Sequence, residues 1–179
     1  MKTYLNGGFW GLFLFSITVV LVLLVIFYFF VIFRPSQIKG SAMAPSYVDG
    51  QYYLINMSSI ISGKRKRGDV VVYKVYEVSN NLRVDYFRRI IGLPGEEIEI
   101  RGGKVYINGQ LLDESYLTSG TVTYDDTYLK EGQKLTIPQG QYFVMGDNRP
   151  HSSDSRAHGP IESIIGKITI CYWNCNSSK

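Results

Sequence analysis

Residues able to do chemistry fall into three short blocks of the 179-residue chain. The first is Gly40-Ser41-Ala42-Met43-Ala44-Pro45-Ser46. The second runs from Asp85 to Gly95 and contains the adjacent pair Arg88-Arg89. The third is Gly146-Asp147-Asn148-Arg149, then Ser152, then Asp154-Ser155-Arg156. A hydroxyl becomes a nucleophile only beside a group that takes its proton. Ser41 and Ser46 supply hydroxyls in the first block, and His151 and His158 are the only histidines that could act as bases. Both histidines sit in a polar, turn-like stretch, where loop side chains are the expectation. A guanidinium stays protonated at any working pH, so neither Arg88 nor Arg89 can be a base. Cys171 and Cys175, the only cysteines, are spaced Cys-x-x-x-Cys with no His/Cys partners nearby. That is not a zinc pattern, which leaves a disulfide or two thiols. No metal or cofactor is expected.

These blocks need elements to hold them. No charged residue occurs from Thr3 to Phe33, and Phe9 to Phe33 is almost continuously apolar. As a helix rising ~1.5 Å per residue, such a segment exceeds the ~30 Å hydrocarbon core of a bilayer. It is too long for a signal-peptide h-region, and no small-x-small cleavage site precedes Arg34-Pro35, so a retained span is expected. Domain boundaries follow: a flank over 1–8, a transmembrane helix over 9–33, and one domain over 34–179. Pro35 is expected to stop the helix. Short strands are expected over Gln37–Ser41, Gln51–Ile55, Asp69–Val75, Val84–Ile91, Glu97–Ile100, Lys104–Ile107, Lys134–Ile137, Gln141–Met145 and Lys167–Trp173. Asn108-Gly109 marks a tight turn, and Thr118–Gln133 reads as loop. The regular spacing, with 14 tyrosines and 18 glycines, argues a mainly β domain of Greek-key or barrel-like type. A net charge of +4 without a long basic run gives no ground for nucleic-acid binding. Lys64-Arg65-Lys66-Arg67 is expected to be a solvated loop, with contact to anionic lipid head groups as the alternative.

In this order, behind an N-terminal span, the three blocks resemble the type I signal peptidases. The resemblance implies a serine nucleophile activated by a neutral lysine as general base, and backbone N–H groups holding the oxyanion. Carried across by position, Ala42 stands at the nucleophile and Arg88 at the base, so both members of the dyad are replaced. Ser152 matches a serine that supports the dyad lysine. Arg89 with Asp147, and Asp154 with Arg156, match structural ion pairs. Met43, Tyr86 and Phe87 match a groove that takes the substrate as an added strand, with core packing as the plainer role for Tyr86 and Phe87.

The expected function is therefore that of a catalytically impaired homologue retaining its peptide groove. The alternatives are an active serine endopeptidase using Ser41, or a structural or assembly membrane protein. If Ser41 and Ala42 lie in an extended segment, their side chains face opposite ways and Ser41 leaves the cleft. The resemblance also implies signal peptides and the lipid bilayer as partners, an active peptidase or surface-assembly machinery as a further partner, and a single-pass cell-membrane protein with its C-terminal domain on the extracytoplasmic side.

Overall fold

A computed structural model of the chain describes residues 5–58, 65–77 and 81–175. The apolar segment is helix α1, Leu5–Ile32. Its stretch Trp10–Ile32 is long and apolar enough to cross a membrane and is not buried against the rest of the structure, touching it only at its C-terminal end, where Phe29 stacks on Phe33. A helix apolar on all sides has no stripe to turn toward a core, and a bilayer satisfies every side at once. The helix ends one residue before the expected boundary. Phe33 already belongs to strand β1, Phe33–Gln37, so no linker separates the span from the domain.

Among the described residues nine more strands follow: β2 Tyr52–Asn56, β3 Val70–Glu77, β4 Leu82–Gly92, β5 Glu97–Arg101, β6 Lys104–Ile107, β7 Gln110–Leu111, β8 Lys134–Thr136, β9 Phe143–Met145 and β10 Gly166–Trp173. A single helical turn, α2, covers Ser155–His158. The larger sheet has the order β1-β2-β10-β3-β4-β9, and the smaller has β7-β6-β5-β8. The chain is thus mainly β behind one apolar helix, as its sequence pattern indicates.

Alternation along the strands sorts side chains between cores. On β3, Val70 and Val72 join Ile38, Met43, Tyr53, Ile55, Phe87 and Ile168 on one face. Val71 and Tyr73 join Ile90, Tyr142, Val144 and Ile164 on the other. A third cluster, including Ile98, Ile100, Val105 and Phe143, lies with the smaller sheet. This two-residue period is the geometry of a pleated strand buried on both faces.

Two local expectations change. Gln37–Ser41 is not a strand: β1 ends at Gln37, and the chain from Ser41 to Ser46 turns. Pro35 does not merely stop the helix but lies inside β1, paired with Leu54. An edge strand tolerates proline because one side of it needs no ladder donor. The basic run is not simply solvated either. The Arg65 guanidinium lies 5.2 Å over the Tyr142 ring, and Arg67 pairs with Glu96 at 2.6 Å. Lys66 is exposed, and Lys64 lies outside the described residues. Cys171 and Cys175 form a disulfide.

Candidate functional site

Strand β4 builds the site because it carries two environments along one edge. From Arg89 to Gly92 it pairs with β9. From Leu82 to Phe87 it has only β3 beside it among the described residues. A cleft of about 310 Å³ opens along this free edge, with Val84, Asp85, Tyr86, Phe87 and Arg88 on one side. Ile38, Lys39, Gly40, Ala42 and Met43 line the other side.

Ala42 and Arg88 therefore share one cavity, although 45 residues of chain lie between them. Ala42 is half-buried and presents a methyl group. Arg88 is only 6% exposed. Its Nε and Nη2 donate to the Ser153 carbonyl at 3.1 and 2.7 Å, and its Nη1 donates to the Phe87 carbonyl at 2.7 Å. The guanidinium also lies 4.9 Å over the Tyr86 ring. No carboxylate among the described residues comes within ion-pair distance of it.

The wall of the cleft is core at the same time. Met43 and Phe87 are 2% and 3% exposed and pack with Ile38, Tyr53 and Val70 while lining the cavity. Tyr86 is half-buried, with its ring 6.0 Å from that of Tyr73. Burial of Tyr73 in this packing pushes its hydroxyl pKa up to about 12. One strand serves both packing and cleft, because alternate side chains flank an edge that itself stays open.

Ser41 lies outside this cavity, though not because an extended segment turns it away. It is exposed at the start of the turn, and its carbonyl accepts from the Ala44 amide at 3.0 Å and from Asn148 Nδ2 at 3.0 Å. The Asn148 amide in turn donates to the Ala42 carbonyl at 3.0 Å. Asn148 thus sews the Ala42 turn to the third block. Gly146 completes the seam: a Cβ there would collide with Ser152 Oγ and the Ala42 carbonyl. The sequence reading quoted Gly146 and Asn148 within a motif but gave neither a role. The close approach that demands them exists only in three dimensions.

Ser152 sits at this seam and takes no hydrogen bond from Arg88, which reaches the next carbonyl instead. The Ser152 Oγ is buried without a partner of hydrogen-bond geometry, although it lies near enough to Asp154 to favour that carboxylate. Ser153 Oγ is 2.7 Å from His158 Nε2, so a serine and a histidine do meet. Both are exposed, and neither lines the Ala42 cavity. His151 is exposed at the end of a short 3-10 turn, Arg149–His151.

Beneath the cleft lies a buried ionic frame. Arg89 Nε and Nη2 donate to Asp147 at 2.8 and 2.5 Å. Burial alone would lower the Arg89 pKa, but the Asp147 bonds raise it overall. Arg156 Nε and Nη2 donate to Asp154 at 2.9 and 2.8 Å. Burial would raise the Asp154 pKa, yet the Arg156 pair and the Gly146 amide hold it below the ordinary value. Arg149, 1% exposed, reaches Glu114 and Thr123. Arg89 also lies 4.2 Å over the Tyr116 ring. Burial, then neighbouring Glu114, pushes the Tyr116 hydroxyl up. Glu114, Tyr116 and Thr123 escaped the sequence reading: Thr123 fell in the stretch Thr118–Gln133 read as polar loop, and Glu114 and Tyr116 were assigned to no element.

A β domain fused to an apolar span, with a strand-edged cleft over a frame of Arg–Asp pairs, is the architecture of a membrane-tethered peptidase-type domain. The chain belongs to the signal peptidase family. The family model described as "Signal peptidase, peptidase S26" matches residues 11–173. Signal peptidase IB of Staphylococcus aureus is 35% identical over 171 residues, covering 88% of this chain and 86% of that protein. Signal peptidase I of Bacillus caldolyticus is 34% identical over 151 residues, covering 79% and 80%. A signal peptidase I crystal structure from Enterococcus faecalis is 39% identical, covering 59% of this chain and 97% of that one, with a TM-score of 0.45.

Proposed function

We propose that this chain is a signal peptidase homologue with little or no peptidase activity that retains a peptide-binding cleft. One observation carries the reading. The cavity where a serine and a neutral lysine would meet holds the Ala42 methyl and the Arg88 guanidinium. A methyl group has no lone pair to attack a carbonyl, and a guanidinium cannot accept the proton that an attacking hydroxyl must lose. Arg88 is moreover held by the Ser153 and Phe87 carbonyls. Met43, Tyr86 and Phe87 line the groove, and the unpaired Leu82–Phe87 stretch of β4 suits an added extended strand.

The proposed setting is a single pass through the cell membrane by α1, with the β domain on the extracytoplasmic side. Signal peptides of exported preproteins are the proposed ligands. An active peptidase or a surface-assembly machinery is the proposed further partner. Ser41 as a displaced nucleophile is disfavoured, since it is absent from the lining of the cleft.

The test is a cleavage assay on a preprotein with an Ala-x-Ala site. Neither the unaltered chain nor Ala42→Ser turns it over, because Arg88 still accepts no proton. Ala42→Ser with Arg88→Lys gains turnover. A lysine in this buried site without a carboxylate would have its pKa lowered by desolvation, as a general base requires. Cleavage by the unaltered chain that is lost in Ser41→Ala would overturn the reading, and robust cleavage by Ala42→Ser alone would refute its account of the base.

A further inference from the structure

Among the described residues Arg88 is a charge without a counter-charge. Of the five N–H groups a guanidinium carries, three are taken by the Ser153 and Phe87 carbonyls. Neutral carbonyl dipoles satisfy those N–H groups but do not neutralise a cation, and a buried cation is costly until an anion or further hydrogen bonds complete it. The two remaining N–H groups have no partner among the described residues, and the side chain lines the cleft. The other charges of the cleft wall leave the balance positive. Lys39 is exposed, and Asp85 is engaged by Arg34 at 3.1 Å.

We propose that Arg88 makes this cleft a receptor for the free C-terminal carboxylate of an extended peptide, the end that an endopeptidase creates when it cuts. An uncut chain would bring a neutral amide to the same place. A carboxylate brings an anion with two acceptor oxygens, matched to the two remaining N–H groups. The substitution that removes a base thereby supplies a reader of cleavage products. The proposal rests on the reading of the cleft as a peptide groove.

The experiment uses the full chain in lipid nanodiscs and fluorescence anisotropy with three labelled synthetic peptides. One is an apolar decapeptide ending Ala-Gln-Ala with a free carboxylate. The second is the same peptide as a C-terminal amide, and the third continues five residues beyond the alanine. The free acid is expected to bind about 10- to 100-fold tighter than the amide or the extended peptide, the range of a charge-assisted pair. Arg88→Met is expected to erase that preference, and Arg88→Lys to lose most of it, since a lysine desolvated there must first take up a proton to pair with the anion. Equal affinity for all three peptides on the unaltered protein would overturn the carboxylate proposal and leave the peptide groove standing. No binding of any peptide would overturn both.

Discussion

Arg89 sets its guanidinium against a buried carboxylate, 2.8 and 2.5 Å from Asp147, whereas its neighbour Arg88 reaches only carbonyl oxygens and an aromatic face. The two side chains leave opposite faces of one strand, since successive residues of a pleated strand alternate. On one face the charge is balanced and locks β4 to the Asp147 loop. On the other it is buried unbalanced, at the edge of a cleft. The same residue type is thus part of a charge-balanced frame at one position and of a cleft wall at the next. The partner across the fold decides which.

The largest effect that tests this contrast is on stability. Arg89→Met leaves Asp147 buried and unpaired and is expected to cost ~3–5 kcal/mol. Arg88→Met strands no carboxylate and is expected to cost under about 2 kcal/mol, the loss of hydrogen bonds to carbonyls. Denaturant unfolding of the two variants in detergent measures the difference, and equal losses would erase the distinction.

Gly146→Ala comes next. The added methyl meets Ser152 and the Ala42 carbonyl, so the seam must open, at a cost of ~1–3 kcal/mol. A Gly146→Ala protein as stable as the parent would show that the two blocks are not pressed together there.

A smaller effect concerns acid. The Asp154 pKa is lowered from its ordinary 3.8, so its contribution is present above that value. That contribution is lost as pH falls through the lowered folded pKa, because the unfolded chain binds the proton first. Stability below pH 4 should therefore fall less steeply in Asp154→Asn than in the parent. Parallel acid limbs in urea titrations would remove Asp154 from the frame.

Smallest of all is Ser153→Ala. Its hydroxyl meets His158 on the exposed side, so stability should move by less than ~0.5 kcal/mol. Turnover by the Ala42→Ser, Arg88→Lys protein should not change. A loss of that turnover would bring the Ser153–His158 pair into the chemistry.

Much of the site was legible in the residues. The span and the three blocks follow from residue types and order, while the Arg89–Asp147 and Asp154–Arg156 pairings, which the structure shows, were implied by the family resemblance. The turn at Ser41–Ser46 was not legible, because a few small residues with one proline suit a strand end and a turn equally. The Arg149–Glu114–Thr123 cluster was hidden for another reason. Its members are polar residues in irregular chain, where no periodicity marks the inside. Lys64 to Arg67 looked like a solvated run until Arg65 and Arg67 were seen to fold back onto Tyr142 and Glu96.

Residue identity alone determined what Ala42 and Arg88 can do: no sequence context gives alanine an oxygen or makes arginine a base. Tertiary structure decided everything that depends on distance. It placed Ala42 and Arg88 in one cavity, left Ser41 outside it, and aimed Arg88 at a carbonyl where Arg89 met a carboxylate. Chemical capacity is a property of a side chain, but a charge acquires its role only from what the folded chain sets beside it.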